Sequence, residues 1–262
     1  MDKVSLTLLV LTAATASGLA AEVPEPFLSE MSVPAQQLFP LPVAATNHAT
    51  WKGSATVGAT MTRGNSDSVL ATGKLDAQRK SAVNELILGA DGAYGEAQGV
   101  KNYESLHGFG QDNHFFTTQW FGFLRADGLH DGIKDIDYRF TLSPGAGYYF
   151  LRQTNLNFAL ELGPSLVGER QDDTASLYAG GRLADRFEYK LNPTTRLWQS
   201  TEGIPQLDEF GNFIVNAEAG IETAITKKLG LQVYMQDNYL NRPAPGYKLN
   251  DVRLVSGLTL KF

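Results

Sequence analysis

Residue character repeats every second position through most of this chain. In its last segment Val252, Leu254, Leu258, Leu260 and Phe262 fall on one face of an extended strand, while Arg253, Val255, Gly257, Thr259 and Lys261 fall on the other. Successive side chains of a strand point to opposite sides, so such alternation means two different surroundings. The pattern returns about a dozen times. Nowhere is there a run of ~18 apolar residues, the length a membrane-spanning helix needs. The other structure able to cross a bilayer is a closed barrel, in which every backbone polar group pairs with a neighbouring strand. A mildly negative mean hydropathy agrees, since only alternate residues would face lipid.

The start of the chain reads as an export signal. Lys3 gives a short basic region, Leu6 to Leu19 an apolar stretch interrupted by threonine and serine, and Gly18-Leu19-Ala20 a small-x-small cleavage pattern. Residues 1–21 are therefore expected to be a signal peptide. Residues 22–50, with Pro24, Pro26, Pro34, Pro40 and Pro42 and no steady period, are expected to be an extended periplasmic leader. The rest, 51–262, forms the barrel. The chain has no cysteine, which excludes disulfides and thiolate-bound metals. Its net charge of −6 without a basic cluster argues against a nucleic-acid partner.

From Trp51 the alternation is continuous. Trp51, Gly53, Ala55, Val57, Ala59 and Met61 oppose Lys52, Ser54, Thr56, Gly58, Thr60 and Thr62, and Arg63-Gly64-Asn65-Ser66-Asp67 then supplies turn residues. The spacing predicts strands near 51–62, 68–79, 84–94, 102–112, 115–127, 137–150, 155–168, 176–190, 195–202, 211–225, 228–240 and 250–262. Twelve strands over these residues allow roughly 18 residues per strand and connection, against the ~9–11 a strand needs to span. The expected fold is all-β: a single antiparallel up-and-down transmembrane barrel of about 12 strands behind a signal peptide and Pro-rich leader.

An even strand number puts both barrel ends of the chain on one side, which for a secreted chain is the periplasm. The turns expected there are 80–83, 113–114, 151–154, 191–194 and 226–227. Longer loops are expected outside, at 95–101, 128–136, 169–175, 203–210 and 241–249, several of them acidic. Tyr148, Tyr149, Phe150, Phe187, Tyr189 and Tyr239 sit near segment ends, where aromatic girdles meet the membrane interfaces. A secreted soluble β-sandwich or lipocalin-like binding protein would also alternate, but twelve strands of this length exceed an ordinary lipocalin.

Three segments carry a resemblance. They are Trp51-Lys-Gly-Ser-Ala-Thr-Val-Gly58 running into Thr62-Arg-Gly-Asn-Ser-Asp67; Asn216-Ala-Glu-Ala-Gly220-Ile-Glu-Thr followed by Lys227-Lys-Leu-Gly-Leu231; and Asn241-Arg-Pro243 leading to Asp251 and the closing Gly257-Leu-Thr-Leu-Lys-Phe262. On these the chain resembles a family of salt-induced outer-membrane proteins known as domain of unknown function 481. The resemblance implies an integral place in a bacterial outer membrane and a barrel architecture, and no activity. Phe262 is similar to the signal read by the barrel-assembly machinery, which would engage the C-terminal strand; it is equally the last lipid-facing girdle residue.

Charged residues cannot face lipid at mid-depth without costing ~2–4 kcal/mol each, so they belong in the lumen. The polar faces place Lys74, Asp76, Arg139, Glu161, Arg182, Arg186, Glu188, Lys190, Glu218, Glu222, Arg253 and Lys261 there. Cross-strand pairs such as Glu161 with Arg182 or Arg186 would close the lumen; the same residues could instead line a narrow wet pore. A barrel hydrolase needs a histidine beside a nucleophile. Of His48, His107, His114 and His130, the starting points are His107 with Ser105 and His130 with Asp131. No group has metal-site spacing and no cofactor is implied. The expected role is a narrow channel for small solutes or ions, or an envelope-structural barrel, without enzymatic activity and in contact with outer-membrane lipid. A barrel hydrolase acting on lipid or peptide and a loop-based binding scaffold are the rivals. The sequence does not fix the oligomeric state.

Overall fold

The computed structural model of the chain describes residues 50–62, 67–243 and 247–262. The expected signal peptide and all but the last residue of the leader lie outside the described residues. Twelve strands follow one another: β1 Thr50–Thr62, β2 Ser68–Lys80, β3 Asn84–Ala97, β4 Val100–Phe115, β5 Trp120–Asp131 and β6 Ile136–Arg152, then β7 Leu156–Gln171, β8 Thr174–Lys190, β9 Thr195–Pro205, β10 Phe213–Ala224, β11 Leu229–Leu240 and β12 Asn250–Lys261. Each pairs antiparallel with its sequence neighbours, and β12 returns to β1, so the sheet is a closed barrel. Thr50 and Phe262 lie at the same end, here the terminal end; the opposite end is the loop end.

The alternation seen in the sequence becomes an inside and an outside. On β6 Phe140 is 63% exposed and its neighbour Arg139 is 7% exposed; on β12 Leu254 is 71% exposed and Arg253 is 8% exposed. Val57, Leu75, Leu106, Leu124, Leu162 and Leu183 likewise face outward. A soluble barrel would put those side chains in its core, so this surface suits lipid rather than water.

Two sets of expected connections move. Asn113 and His114 belong to β4, paired with Glu85 and Asn84, and the turn between β4 and β5 is 116–119. Phe115 delays the turn because its ring is inside, against Phe121 and Tyr149 at centroid distances of 5.4 and 6.3 Å. At the loop end most of the expected long loops are paired strand. Gln98 and Gly99, with φ of 53° and 76°, turn β3 into β4, and Asp172 and Asp173, with φ of 49° and 57°, turn β7 into β8. Two consecutive left-handed residues make the two-residue turn whose twist matches a hairpin. The strands there run on beyond the point where the apolar pattern stops. The longer connections that remain are 206–212 and 241–249.

The barrel also holds an apolar wedge of its own. Phe121 and Phe123 on β5 point inward opposite Gly147 and Gly145 of β6, and with Phe115, Tyr149 and Ala159 they form a buried cluster. Each phenyl ring lies over the glycine across from it, where a Cβ would collide with the ring. Tyr149 is thus 7% exposed inside the barrel and is not a girdle residue. The bulge between Tyr149 and Leu151 shifts the register there.

Candidate functional site: an ion-paired lumen

The charged residues expected in the lumen all face it. Glu161 on β7 lies between Arg182 and Arg186 of β8: Arg182 Nη1 donates to Glu161 Oε2 at 2.8 Å, and Arg186 donates to Oε1. Glu161 is 2% exposed and Arg182 3% exposed. Such a carboxylate is tolerable only because both guanidinium groups and the Gln111 amide, 3.0 Å away, donate to it. Arg139 pairs with Glu169. Glu222 receives Arg196 Nη2 at 2.8 Å and pairs with Lys261. Glu188 lies 3.6 Å from Arg196 without accepting a hydrogen bond.

Several contacts join strands that are not neighbours, and these carry the most information. Lys74 Nζ on β2 donates to both oxygens of Glu218 on β10, at 2.7 and 2.9 Å, with β1, β12 and β11 between them. Arg253 Nη2 on β12 reaches Asp91 Oδ2 on β3 at 3.5 Å. Arg125 Nε on β5 lies 3.8 Å from Glu202 on β9. These are chords across the barrel rather than rungs along its wall. Glu218 is further held by Trp198 Nε1 and by Gln236 Nε2, each at 2.8 Å, and Arg253 donates back to Gln236. Acids and bases meet at most of these positions, so most of these charges leave water with an opposite charge at hand.

Beside these chords lies a cavity of about 330 Å³, lined by Tyr103, Ser105, His107, Phe109, Ser200 and Asn216 among others. His107 is the histidine that the sequence marked. Its Nδ1 is 3.0 Å from Asp91 Oδ1 and its Nε2 is 3.5 Å from Asp127 Oδ1. With both ring nitrogens turned to carboxylates, neither is left to take a proton from Ser105, so the Ser105/His107 pair lacks the geometry of an activated nucleophile. His130 turns its Nδ1 to the carbonyl of Asp137, while Asp131 caps the turn by accepting from the backbone N–H of Ile133 and Lys134. Among the described residues no three histidine or carboxylate side chains are arranged to hold a metal ion.

The loop-end mouth is crossed as well. Lys134 Nζ in the β5–β6 turn is 2.8 Å from Asp251 Oδ2 at the start of β12. Tyr247 donates to Asp135 Oδ2 at 2.8 Å. The two connections they join start on opposite parts of the ring, so these bonds tie a strap over the mouth.

Sequence reasoning did not find Trp198, Gln111, Gln236 or the inward phenylalanines. Trp198 and the phenylalanines are apolar residues on a polar face, which alternation assigns to neither side. The available signal was complementary: glycines at 145 and 147 on the inner face of β6 mark space for large rings on the strand beside it.

A closed antiparallel barrel with an apolar exterior and a charged, paired interior is a transmembrane β-barrel. The chain belongs to the family described as Protein of unknown function, DUF481, whose model matches residues 55–262. Among solved structures it is similar to the NanC porin, at 10% identity over 80% of this chain and 100% of that one, with a TM-score of 0.50. The translocator domain of the autotransporter NalP from Neisseria meningitidis matches at 11% identity over 85% and 91% of the two chains, with a TM-score of 0.42. The KdgM porin matches at 11% identity over 81% and 99%, with a TM-score of 0.42. At these identities the likeness to NanC is one of fold. No curated protein matches the chain.

Proposed function

We propose that the protein is an outer-membrane channel with a narrow lumen, passing water, ions and small hydrophilic solutes. One observation carries the reading: chords of paired acid and base across the barrel, beside a cavity of about 330 Å³. Such a lumen filters by size before charge, because residues of both signs line the same path. In this orientation the terminal end faces the periplasm and the strapped mouth faces outward.

The chords themselves favour a second reading, a sealed barrel with an envelope-structural role. Planar-bilayer conductance separates the two. A channel gives small steady steps with the wild type. Replacing Lys74→Ala together with Glu218→Gln removes one chord while leaving Trp198 and Gln236 an acceptor, and should raise unit conductance about twofold. A wild type and a double variant that both conduct nothing would establish the sealed barrel instead.

The strap gives a separate expectation. Removing it with Lys134→Ala and Tyr247→Phe should increase the fraction of time the channel conducts, with a small shift toward cations because the mouth loses the Lys134 charge opposite Asp251. Recordings at equal voltage and salt check this.

A further inference from the structure

Charge is sorted along the axis of the barrel. Acids and bases meet at mid-lumen, but the inner rim of the terminal end presents cations. Lys52 on β1 is opposite Gln78, Lys80 on β2 opposite Glu85, Arg152 on β6 opposite Asn157, and Lys190 on β8 opposite Arg196. Those four opposite residues are buried inside the barrel, and directly opposed residues share a face, so the cations point into the mouth. They start from separate parts of the ring and converge. Lys80 Nζ and the Arg152 guanidinium lie over the same Phe115 ring, 5.6 and 4.5 Å from its centroid. Lys52 is near enough to Lys80 and to Lys190 for their charges to repel. The carboxylates at this level are buried behind them and turned to other groups. Glu85 accepts from Gln78 Nε2 at 2.6 Å and from Asn113 Nδ2 at 3.0 Å, Glu188 faces Arg196, and Glu222 pairs with Arg196 and Lys261. Neither Lys52 nor Lys190 makes an ion pair among the described residues. The loop end leans the other way, with Asp135, Asp172, Asp173 and Asp208 exposed.

We propose that the terminal mouth binds a small multivalent oxyanion, a solute carrying phosphate or carboxylate groups, between Lys52, Lys80, Arg152 and Lys190. Like charges held together beside a low-dielectric wall repel one another, and an anion among them turns that repulsion into attraction. Rings of lysine and arginine are the lining by which pores favour anions and phosphate. Arg152 adds geometry to charge. Its guanidinium stacks on Phe115 and Tyr149, at 4.5 and 5.0 Å, and donates to the Thr118 carbonyl, so its plane is fixed where an oxyanion would meet it. The lysines are flexible point charges that can close on anions of different shape. This inference names the solute class of the proposed channel and rests on that reading for passage, whereas occupancy of the mouth is measured without current.

Equilibrium dialysis of the barrel in nanodiscs against labelled inorganic phosphate and, separately, labelled citrate tests it, with ionic strength held constant by chloride. Saturable binding of either is expected, and the tighter of the two identifies the group recognised; no saturable binding of either overturns the proposal. Lys52→Gln with Lys190→Gln should weaken binding at least tenfold. Lys101→Gln with Lys248→Gln removes the same charge at the loop end and should change binding by less than about twofold. Equal weakening by both pairs would show a response to net charge alone and refute the assigned mouth. Heat-modifiable migration confirms that each variant is folded, and Lys52→Arg with Lys190→Arg should restore binding; a folded arginine pair that does not bind would also overturn it. A barrel that binds phosphate and conducts nothing would end the channel reading and leave the site standing. One that conducts and binds neither anion would do the reverse.

Discussion

Replacing Gly163 with alanine should destabilise the folded barrel severely. Gly163 sits on the inner face of β7 where it passes β6 at Pro144 and Gly145. A Cβ there would fall onto the Pro144 carbonyl oxygen and within 2.8 Å of the Gly145 Cα. Both obstacles are backbone, so no rotamer change relieves them. Pro144 and Pro164 lie beside this point, and neither donates to the ladder. The hydroxyls of Ser143 and Ser165 bond across the gap at 2.7 Å instead. Pushing β6 from β7 would break that bond and the flanking pairs, at about 3 kcal/mol or more. Denaturant unfolding in lipid vesicles should show a lower midpoint, equivalent to a loss on the order of a hundredfold in the folded-to-unfolded ratio. Gly73→Ala, on β2 with nothing within 4 Å of the added carbon, is the control and should fold as the wild type does. Equal folding of both variants would show that β6 and β7 do not approach this closely.

The second large effect is expected at Glu161. Arg182→Gln combined with Arg186→Gln leaves this carboxylate inside the wall with the Gln111 amide and no cation among its named partners. Stranding a buried charge typically costs about 3–5 kcal/mol, and the denaturant midpoint of unfolding in lipid vesicles should fall accordingly. Adding Glu161→Gln should recover much of that loss, because the stranded charge goes with its partners. A triple variant no more stable than the double one would place the cost elsewhere. The same double variant removes two fixed positive charges from the lumen, so any current it carries should shift toward cations.

Period-two alternation was enough to place eleven of the twelve strands to within about three residues, even the short β9, and the fifth to within five, because lipid outside and charge inside make the strongest contrast a strand can carry. It also put Arg139, Glu161, Arg182, Arg186, Glu188, Glu218, Glu222 and Arg253 in the lumen, and matched Glu161 with its two arginines on the adjacent strand. Two kinds of information were out of its reach. Where strands leave the bilayer both faces are polar, so the hairpins at Gln98-Gly99 and Asp172-Asp173 looked like loops. Contacts across the lumen, such as Lys74 with Glu218, join strands far apart in the chain, and depend on the barrel's radius and stagger, which residue periodicity does not encode.

Eleven of the strand pairings join neighbours in the chain and can zip up as consecutive hairpins. The remaining one does not. β1 meets β12 over Ser54–Val57 against Leu258–Lys261, with Gly53 and Phe262 exchanging backbone hydrogen bonds at 2.9 and 3.0 Å and the Phe262 ring lying over Gly53. This seam is much shorter than any other pairing. It must also bring together residues about 200 positions apart, at an entropic cost on the order of 5 kcal/mol for a flexible chain. Until it forms, the sheet is an open ribbon with two bare edges, and each unpaired backbone group on them costs several kcal/mol in hydrocarbon. This short closure, with the Gly53–Phe262 pair as its outermost rung, is expected to be the slow step of assembly. Shielding the edges of β1 and β12 until then should speed maturation, and replacing Phe262 with alanine, which removes the ring over Gly53, should delay closure far more than it weakens the finished barrel.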